Sequence, residues 1–539
     1  MHTNVRQGLT YLTLIIVGAI SQIWLLWFSR LPLGVRDEWV WSRVSEKLPS
    51  LIDCLPAIIT GLLLVGYAAW HNSHRERPVR TGWWLTGLVF LGLCWSVAVI
   101  SASPAGGGMG RSVFVIFYPR TSGYFHQALY EAEDLSQFLH EYEEGISDKA
   151  DPDNYLHIGT HPPGLTASYR LLIELCERSP ALTKLLMSSQ PKSVSSAINF
   201  IQQQQLLSGK EFTEPVAAAL WLSIVISHFL AVLTVVPLYF LATRLASKET
   251  ARFIATYWLF VPAVLIFLPK SDASFPCLAM FLQLLWLKAL ERNSYFYGSL
   301  TAILFTCCAS LSLAFVTIGV VLFLQMLYYQ VKFKIGWKPT VSGLLTGLVF
   351  VFVMNHLLEM NLFTIWLQNF QNHGRFYDHN TRSYISWLFV NPIEAGVAIG
   401  LPLGITALFG LMTLIGRTTS TSTTRERVSQ STHSLARRAC RFFSIVRLSD
   451  QNRERTWVLF GLLIWSILWI SGKNMGEAAR LWIFLMPYAV LVASFSIETL
   501  MQSKSKLVSR YIPVAVLAVQ AVVCFLTAIQ IDGFGFTEL

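Results

Sequence analysis

A chain of 539 residues with 53% hydrophobic and only 13% charged residues is too apolar for a string of soluble domains, in which about a quarter of residues are charged. Its mean hydropathy of +0.50 points the same way, to an all-α polytopic membrane protein. The net charge of +10 does not indicate nucleic acid, because the basic residues fall mostly in short loops between apolar runs and act as topology signals, and the eight cysteines form no CxxC pair that would suggest a zinc site or a disulfide framework.

Apolar runs of about 17 to 25 residues can cross the hydrocarbon core as helices, and about thirteen can be followed along the chain. The first, near 9–28, lacks a small-residue cleavage site after it and reads as a retained span, with Arg6 setting the N-terminus inside. Residues 29–50 are rich in tryptophan, an interfacial signature, and carry Asp37 and Glu38. Spans near 51–70 and 82–100 flank Arg75, Arg77 and Arg80, which mark the inside. This first unit, 1–100, is followed by 101–213, which alternation places outside.

In that external interval the apolar residues Tyr124, Ala128, Leu129, Ala132, Leu135, Phe138, Leu139 and Tyr142 repeat at three and four. They predict an amphipathic helix over 124–145, lying along the membrane surface or over a cavity. The motif 157-HIGTHPPG-164 follows. Two adjacent prolines fix φ, so a sharp stop precedes a helix running through 175. Such a helix start beside a histidine can hold an anion, or it is only helix punctuation. A second polar helix is predicted near 193–207, and the interval reads as a small helical layer rather than a domain that folds alone.

The third unit, 214–416, begins with a span near 215–241. Spans near 253–268 and 274–288 follow, joined by the external turn 269-PKSDASFP-276. The apolar run 295–330 is too long for one crossing and is divided near Ala309–Ser312. A span near 341–357 leads to an external loop, 358–395, and another near 396–415 returns inside. The Arg-rich segment 417–456 is the strongest inside signal in the chain and reads as a solvated cytoplasmic loop. The last unit, 457–539, contains spans near 457–471, 481–498 and 512–530, with 472-GKNMGEAAR-480 outside. With this alternation the unusual polar clusters all fall on one side of the membrane, suggesting a site built from loops at the outer end of a helical bundle.

An external amphipathic segment followed by His-Pro-Pro, a Pro-x-x-Asp turn opening a span, and a late Gly-Glu-x-x-Arg before Trp-Ile-Phe-Leu-x-Pro resemble the GT-C glycosyltransferases. The similarity is to the branch containing protein mannosyltransferases and the aminoarabinose transferases of lipid A. It implies an inverting, multi-pass enzyme of the plasma (inner) membrane. Such an enzyme transfers a sugar from a polyprenyl-phosphate donor to a lipid, glycan or protein acceptor on the non-cytoplasmic side. Carried over residue by residue, His161, Pro162 and Pro163 match the turn near the donor, and Asp272 matches the acid opening a later span. Lys473, Glu477 and Arg480 match the late loop that pairs with donor phosphate and sugar. The family's acidic pair before the amphipathic helix is missing at Thr121, Ser122 and Gly123, and Asp37 and Glu38 in the first external loop are the substitutes as catalytic base.

Plainer readings stand beside these. Asp37 and Glu38 can form an interfacial ion cluster with Arg36 and Arg43. Asp272 can cap a helix beginning at Ala273, and Glu477 and Arg480 can simply satisfy each other. His373 and His379 flank a loop tip, where exposure is expected rather than metal ligation, and no metal site is predicted. The alternatives to a transferase are a transporter or flippase of lipid-linked saccharides, which needs charged residues within its spans, and a saccharide polymerase or ligase.

Overall fold

The structure, a computed structural model, describes residues 2–44, 49–73, 80–103, 108–147, 158–422 and 455–534. Arg75, Arg77 and most of the Arg-rich segment 417–456 lie outside the described residues. The protein is mostly helical. Among the described residues nine helices are long and apolar enough to cross a membrane, and ten such spans result if one pair bent by 105° is counted as a single broken span.

The chain begins with α1 (His2–Trp27), a short hairpin of β1 (Gly34–Val35) and β2 (Trp39–Val40), β3 (Ser42–Arg43), α2 (Leu51–Ser73) and α3 (Thr81–Ala102). The Arg43 guanidinium donates to the carbonyls of Leu25 and Leu31, at 3.0 and 2.6 Å, and so fastens the hairpin to the end of α1. A layer of shorter helices then comprises α4 (Gly110–Phe117), α5 (Tyr124–Tyr130), α6 (Leu135–Ser147), α7 (Gly164–Arg178), α8 (Pro180–Ser188) and α9 (Lys192–Leu207). The polar helix expected near 193–207 is α9, and the helix expected after the prolines is α7.

The amphipathic segment is two helices rather than one. Asp134 accepts hydrogen bonds from the backbone N–H groups of Ser136 and Gln137, at 2.9 and 3.1 Å, so it starts α6 afresh and separates it from α5. The apolar side of α6 (Leu139, Tyr142 and Ile146) packs with Val351, Leu362 and Ile365 rather than lying bare. A cavity of about 640 Å3 lies beside it, lined by Glu131, Asp134, Glu141 and Tyr142 among others.

The central helices are α10 (Glu214–Leu233), α11 (Val235–Ala242), α12 (Lys248–Trp258), α13 (Pro262–Phe267), α14 (Phe275–Arg292), α15 (Tyr295–Leu311), α16 (Ala314–Phe333) and α17 (Trp337–Leu357). The division expected near Ala309–Ser312 is the α15–α16 turn. The run 253–268 is not one straight helix: it breaks after Trp258, and Pro262 starts α13 afresh. The interval 358–395, expected as an external loop, is instead α18 (Leu362–His379) and most of α19 (Tyr384–Ile399). The Asn361 side chain accepts from the N–H groups of Phe363 and Thr364 and nucleates α18. The chain closes with α20 (Leu401–Ser422), α21 (Trp457–Ser471), the short α22 (Ala478–Leu481), α23 (Met486–Met501), α24 (Ile512–Gln530) and β4 (Ile531–Asp532), which pairs antiparallel with β3.

The bent pair is α19 and α20, broken at Gly400, which has φ +92°. A break inside an apolar layer frees backbone groups that lipid cannot satisfy. Two buried glutamines satisfy them here. Gln22 on α1 donates to Val397 O at 2.9 Å and accepts from Leu401 N–H at 2.7 Å. Gln520 on α24 donates to Ile399 O at 2.9 Å and to Phe260 O at 2.7 Å, and accepts from Leu403 N–H at 3.0 Å. One side chain therefore serves both the α12–α13 and the α19–α20 breaks.

The glycine of the proline motif is set by a close approach. A Cβ on Gly164 would lie 2.3 Å from the carbonyl oxygen of Ser310 on α15, a backbone atom with little freedom to move away. Gly164→Ala is therefore expected to destabilise the protein by about 1–3 kcal/mol, the cost of overpacking. A lowered thermal midpoint of the detergent-solubilised variant checks this; an unchanged midpoint would contradict the close packing of α7 on α15.

Candidate functional site

Asp272 enters the site from a 3-10 turn, Ser271–Ser274, that leads into α14, and Lys270 from the residue just before that turn. Opposite, Gly476 and Glu477 both adopt positive φ (+85° and +54°), which folds the 472–480 loop back on itself and starts α22 with Arg480 pointing inward. Three side chains hold that loop. Asn391 donates to Asn474 O at 2.7 Å and accepts from Gly476 N–H at 3.3 Å. The Tyr377 hydroxyl donates to Lys473 O and accepts from Met475 N–H, both at 2.9 Å. Glu394 on α19 accepts from Ala479 N–H at 3.4 Å.

The result is a compact set of charges in which Lys270 is buried and Asp272, Glu477 and Arg480 are half-buried. Arg480 pairs with Glu477 at 2.5 Å and lies within electrostatic reach of Asp272 and the Tyr124 hydroxyl. Burial alone would lower the basicity of this guanidinium, but Glu477, then Asp272 and Tyr124, outweigh it and hold Arg480 above its ordinary value. Lys270 is 3% exposed, and its Nζ has no hydrogen-bond partner among the described residues. Burial, and then the charge of Arg480, push its pKa down to about 7, against the opposing pull of Asp272 and Glu477. Two cations and two carboxylates thus converge where little water can screen them.

The proline motif meets this set through Tyr124. That side chain is buried, packs edge-on to His161 with ring centroids 5.7 Å apart, and feels both Asp272 and Arg480. The turn itself is strongly held. The Tyr142 hydroxyl donates to His161 O at 2.7 Å, and Asn369 and Asn372 on α18 each donate to Gly159 O at 2.9 Å. Pro162 and Pro163 are buried and carry the chain into α7. His373 lies on the α18 helix rather than at an exposed loop tip, with its ring centroid 6.5 Å from that of His161. Burial, reinforced by His161 and Lys473, lowers its pKa to about 4, so its imidazole is neutral at pH 7. Lys473 lies over the Phe370 ring at 4.1 Å.

The two acids of the β1–β2 hairpin separate. Glu38 accepts from Trp387 Nε1 at 2.6 Å and from Ser383 N–H at 3.0 Å. Burial works against its ionised form, yet these bonds and the charge of Arg382 hold its carboxyl below the usual range. Arg382 in turn lies within reach of Glu477 and Glu394, which joins Glu38 to the edge of the charge cluster. Asp37 is exposed at the hairpin tip with φ +64°, and among the described residues no hydrogen bond or ion pair ties it to the cluster. Among the described residues neither acid forms an ion pair with Arg36 or Arg43.

The structure therefore brings Asp272, Glu477 and Arg480 into one cluster, attaches His161 to it through Tyr124 and Glu38 through Arg382, and leaves Asp37 apart. Lys270, Tyr124, Arg382 and Glu394 join the site although the sequence reading did not single them out. Glu394 carried a signal, since an acid inside the apolar stretch 384–399 is costly without a purpose. Among the described residues no three His, Cys, Asp or Glu side chains are grouped so that they could hold a metal ion. Comparison with family models and with curated proteins finds no match to the chain.

Proposed function

We propose that this chain is a membrane glycosyltransferase of GT-C type, taking a sugar from a polyprenyl-phosphate donor and passing it to an acceptor hydroxyl on the non-cytoplasmic side. The observation that carries this reading is the convergence of buried Lys270 and half-buried Arg480 with Asp272 and Glu477 beside the His161-Pro162-Pro163 turn. In such a transfer the acceptor oxygen bonds to the anomeric carbon while the bond from that carbon to the phosphate oxygen breaks. Negative charge develops on the departing lipid phosphate, and preorganised cations in a dry site stabilise it most effectively. Arg480 offers a planar fork suited to phosphate oxygens, and Lys270 a compact second charge. Asp272 and Glu477 act as the counterions that keep both cations in place when no anion is bound.

In this reading the short α15 and α21 and the broken α12–α13 pair also cross, which brings the count to about thirteen spans. The loops bearing the site lie outside and the N-terminus inside. The test is sugar transfer by the purified, reconstituted protein supplied with a polyprenyl-phosphate sugar. Transfer is the expected result; movement of the donor across the bilayer without transfer would replace the enzyme by a flippase.

A further inference from the structure

The cavity of about 640 Å3 beside α6 is polar and carries charge of one sign. Its lining includes Glu131, Glu133, Asp134 and Glu141 and, among the described residues, no lysine, arginine or histidine, although the chain has a net charge of +10. All four carboxylates are exposed, and among the described residues none of them forms an ion pair. Glu131 and Glu141 each accept from one glutamine amide, those of Gln127 and Gln137, at 3.1 and 2.9 Å, and Asp134 Oδ1 is taken up by the start of α6. Each of these acids therefore keeps an oxygen for a donor from outside. An acidic rim alone would be a solvated face; the floor of the cavity adds a second acceptor of another kind. Asn372 on α18 lines the same cavity and is 4% exposed. Its amide NH2 donates to Gly159 O at 2.9 Å and to Ile146 O at 3.3 Å, which fixes the amide and turns Oδ1 toward the cavity. That oxygen has no hydrogen-bond partner among the described residues and, unlike the Oδ1 of Asn369 three positions earlier, is not sealed from water. A buried acceptor left open in this way calls for a donor.

We infer that this cavity binds an extended organic cation, one carrying two or more ammonium or guanidinium groups. Such a ligand supplies donors to Asn372 Oδ1 and charge to the rim at once, and an anion is repelled by the same rim. A single small metal ion does not fit, because among the described residues no three acidic, histidine or cysteine side chains are grouped closely enough to hold one. The charges must be spread along a chain. The rings of Phe138 and Tyr142 give the methylene stems of that chain an apolar wall. The volume lies within the range of about 300–1,000 Å3 usual for ligand sites. Two sources share this chemistry, a free linear polyamine and a basic segment of a polypeptide. Either would lie beside the proline turn, since Gly159 and Tyr142 line the cavity and Tyr142 also donates to His161 O. The site stands on this geometry alone and is independent of the transferase reading.

The experiment uses the full chain in nanodiscs of neutral phosphatidylcholine, with empty nanodiscs subtracted, and measures binding of spermine and of an end-blocked tetralysine peptide by calorimetry. Both are expected to bind, and an end-blocked tetraserine peptide is not. Glu131→Gln combined with Glu141→Gln removes two exposed charges without changing shape and should weaken binding about tenfold. Asn372→Leu removes the buried acceptor and should weaken it about tenfold or more. Because Asn372 also ties Gly159 and Ile146, a second variant guards against a folding defect. Gly145→Trp keeps every carboxylate and projects from α6 into the open space that a Cβ there would meet, so it blocks the cavity. It should weaken binding about tenfold with an unchanged thermal midpoint. Undiminished binding in Gly145→Trp, equal binding of the neutral peptide, or displacement of spermine by an equal concentration of magnesium would overturn the site. A peptide affinity tenfold or more above that of spermine assigns the occupant to a polypeptide segment, and a smaller margin to a free polyamine. Sugar transfer without binding of either cation would retain the transferase and remove this inference; binding without transfer would do the reverse.

Discussion

Arg480→Ala is expected to lower sugar transfer by about 100- to 1,000-fold, the usual loss when one preorganised donor to a developing oxyanion is deleted. The residue contributes in two ways. Under the transferase reading its fork would stabilise the phosphate charge, and it is also the partner of Glu477 and lies within electrostatic reach of Asp272. Removing it leaves two carboxylates facing Lys270 alone, so the loss combines missing stabilisation with a disturbed cluster. Arg480→Lys separates these contributions, since it restores the charge but not the paired geometry, and should recover only part of the rate. Asp272→Asn is the companion variant: it keeps shape and removes one counterion of both cations. Initial rates of the purified variants, at matched expression and membrane insertion, measure all three. Full activity in both Arg480→Ala and Asp272→Asn would end the assignment of this cluster as the site of transfer.

Lys270 should impose a pH dependence with opposite signs on anion binding and on stability. Its pKa is depressed from 10.5 to about 7 in the folded protein. Below about pH 7 the ammonium is charged and an anion is attracted; above it the empty site loses a cation, and affinity for inorganic phosphate should fall up to about tenfold per pH unit. A bound anion raises the lysine's basicity, so binding takes up a proton and the decline extends above pH 7. For stability the sign reverses. Between about pH 7 and 10.5 the unfolded chain holds more protons than the folded one, so stability of the anion-free protein rises with pH across that window. Below about 7 the burial penalty is complete and no further change comes from this group. Phosphate titrations from pH 6 to 9 on wild type and Lys270→Met read the first effect, and thermal midpoints over the same range read the second. The variant should bind weakly with a flat profile; a wild-type-like slope in Lys270→Met would assign the titration to another group.

Much of the helix plan was legible in the chain. The prolines at 162 and 163 announced α7, the polar run near 193 announced α9, and hydropathy with a needed turn located the α15–α16 junction. Where the reading departed from the structure, local chemistry competed with a longer pattern. Asp134 interrupted a helical periodicity that continued across it, Pro262 restarted a run that hydropathy alone treats as continuous, and Asn361 began a helix in a stretch whose amides and histidines resembled a loop. The site was legible only in part, and for a different reason. Asp272, Glu477 and Arg480 could be named because each stands in a recognisable polar turn. Lys270 stood in the same turn as Asp272, but its burial depends on α22 folding over it, which no local pattern reveals. Glu394 on α19 and Arg382 just before that helix enter because this segment packs against the late loop, where Asn391 and Glu394 bond to its backbone. The separation of Glu38 from Asp37 likewise follows from the hairpin, whose tight tip exposes one acid and turns its neighbour toward Trp387.

The double service of Gln520 bears on the order of assembly. It lies on α24, far along the chain from the helix breaks at Phe260 and Ile399 whose carbonyls it engages. During insertion those carbonyls have no such partner until α24 arrives, and apolar surroundings penalise them meanwhile. Both interrupted segments would therefore pass through a provisional, straighter or more hydrated form, and take their final bend only when the late helix docks. Since α13 leads to Lys270 and α19 carries Glu394, the charge cluster would take its final form only with that docking.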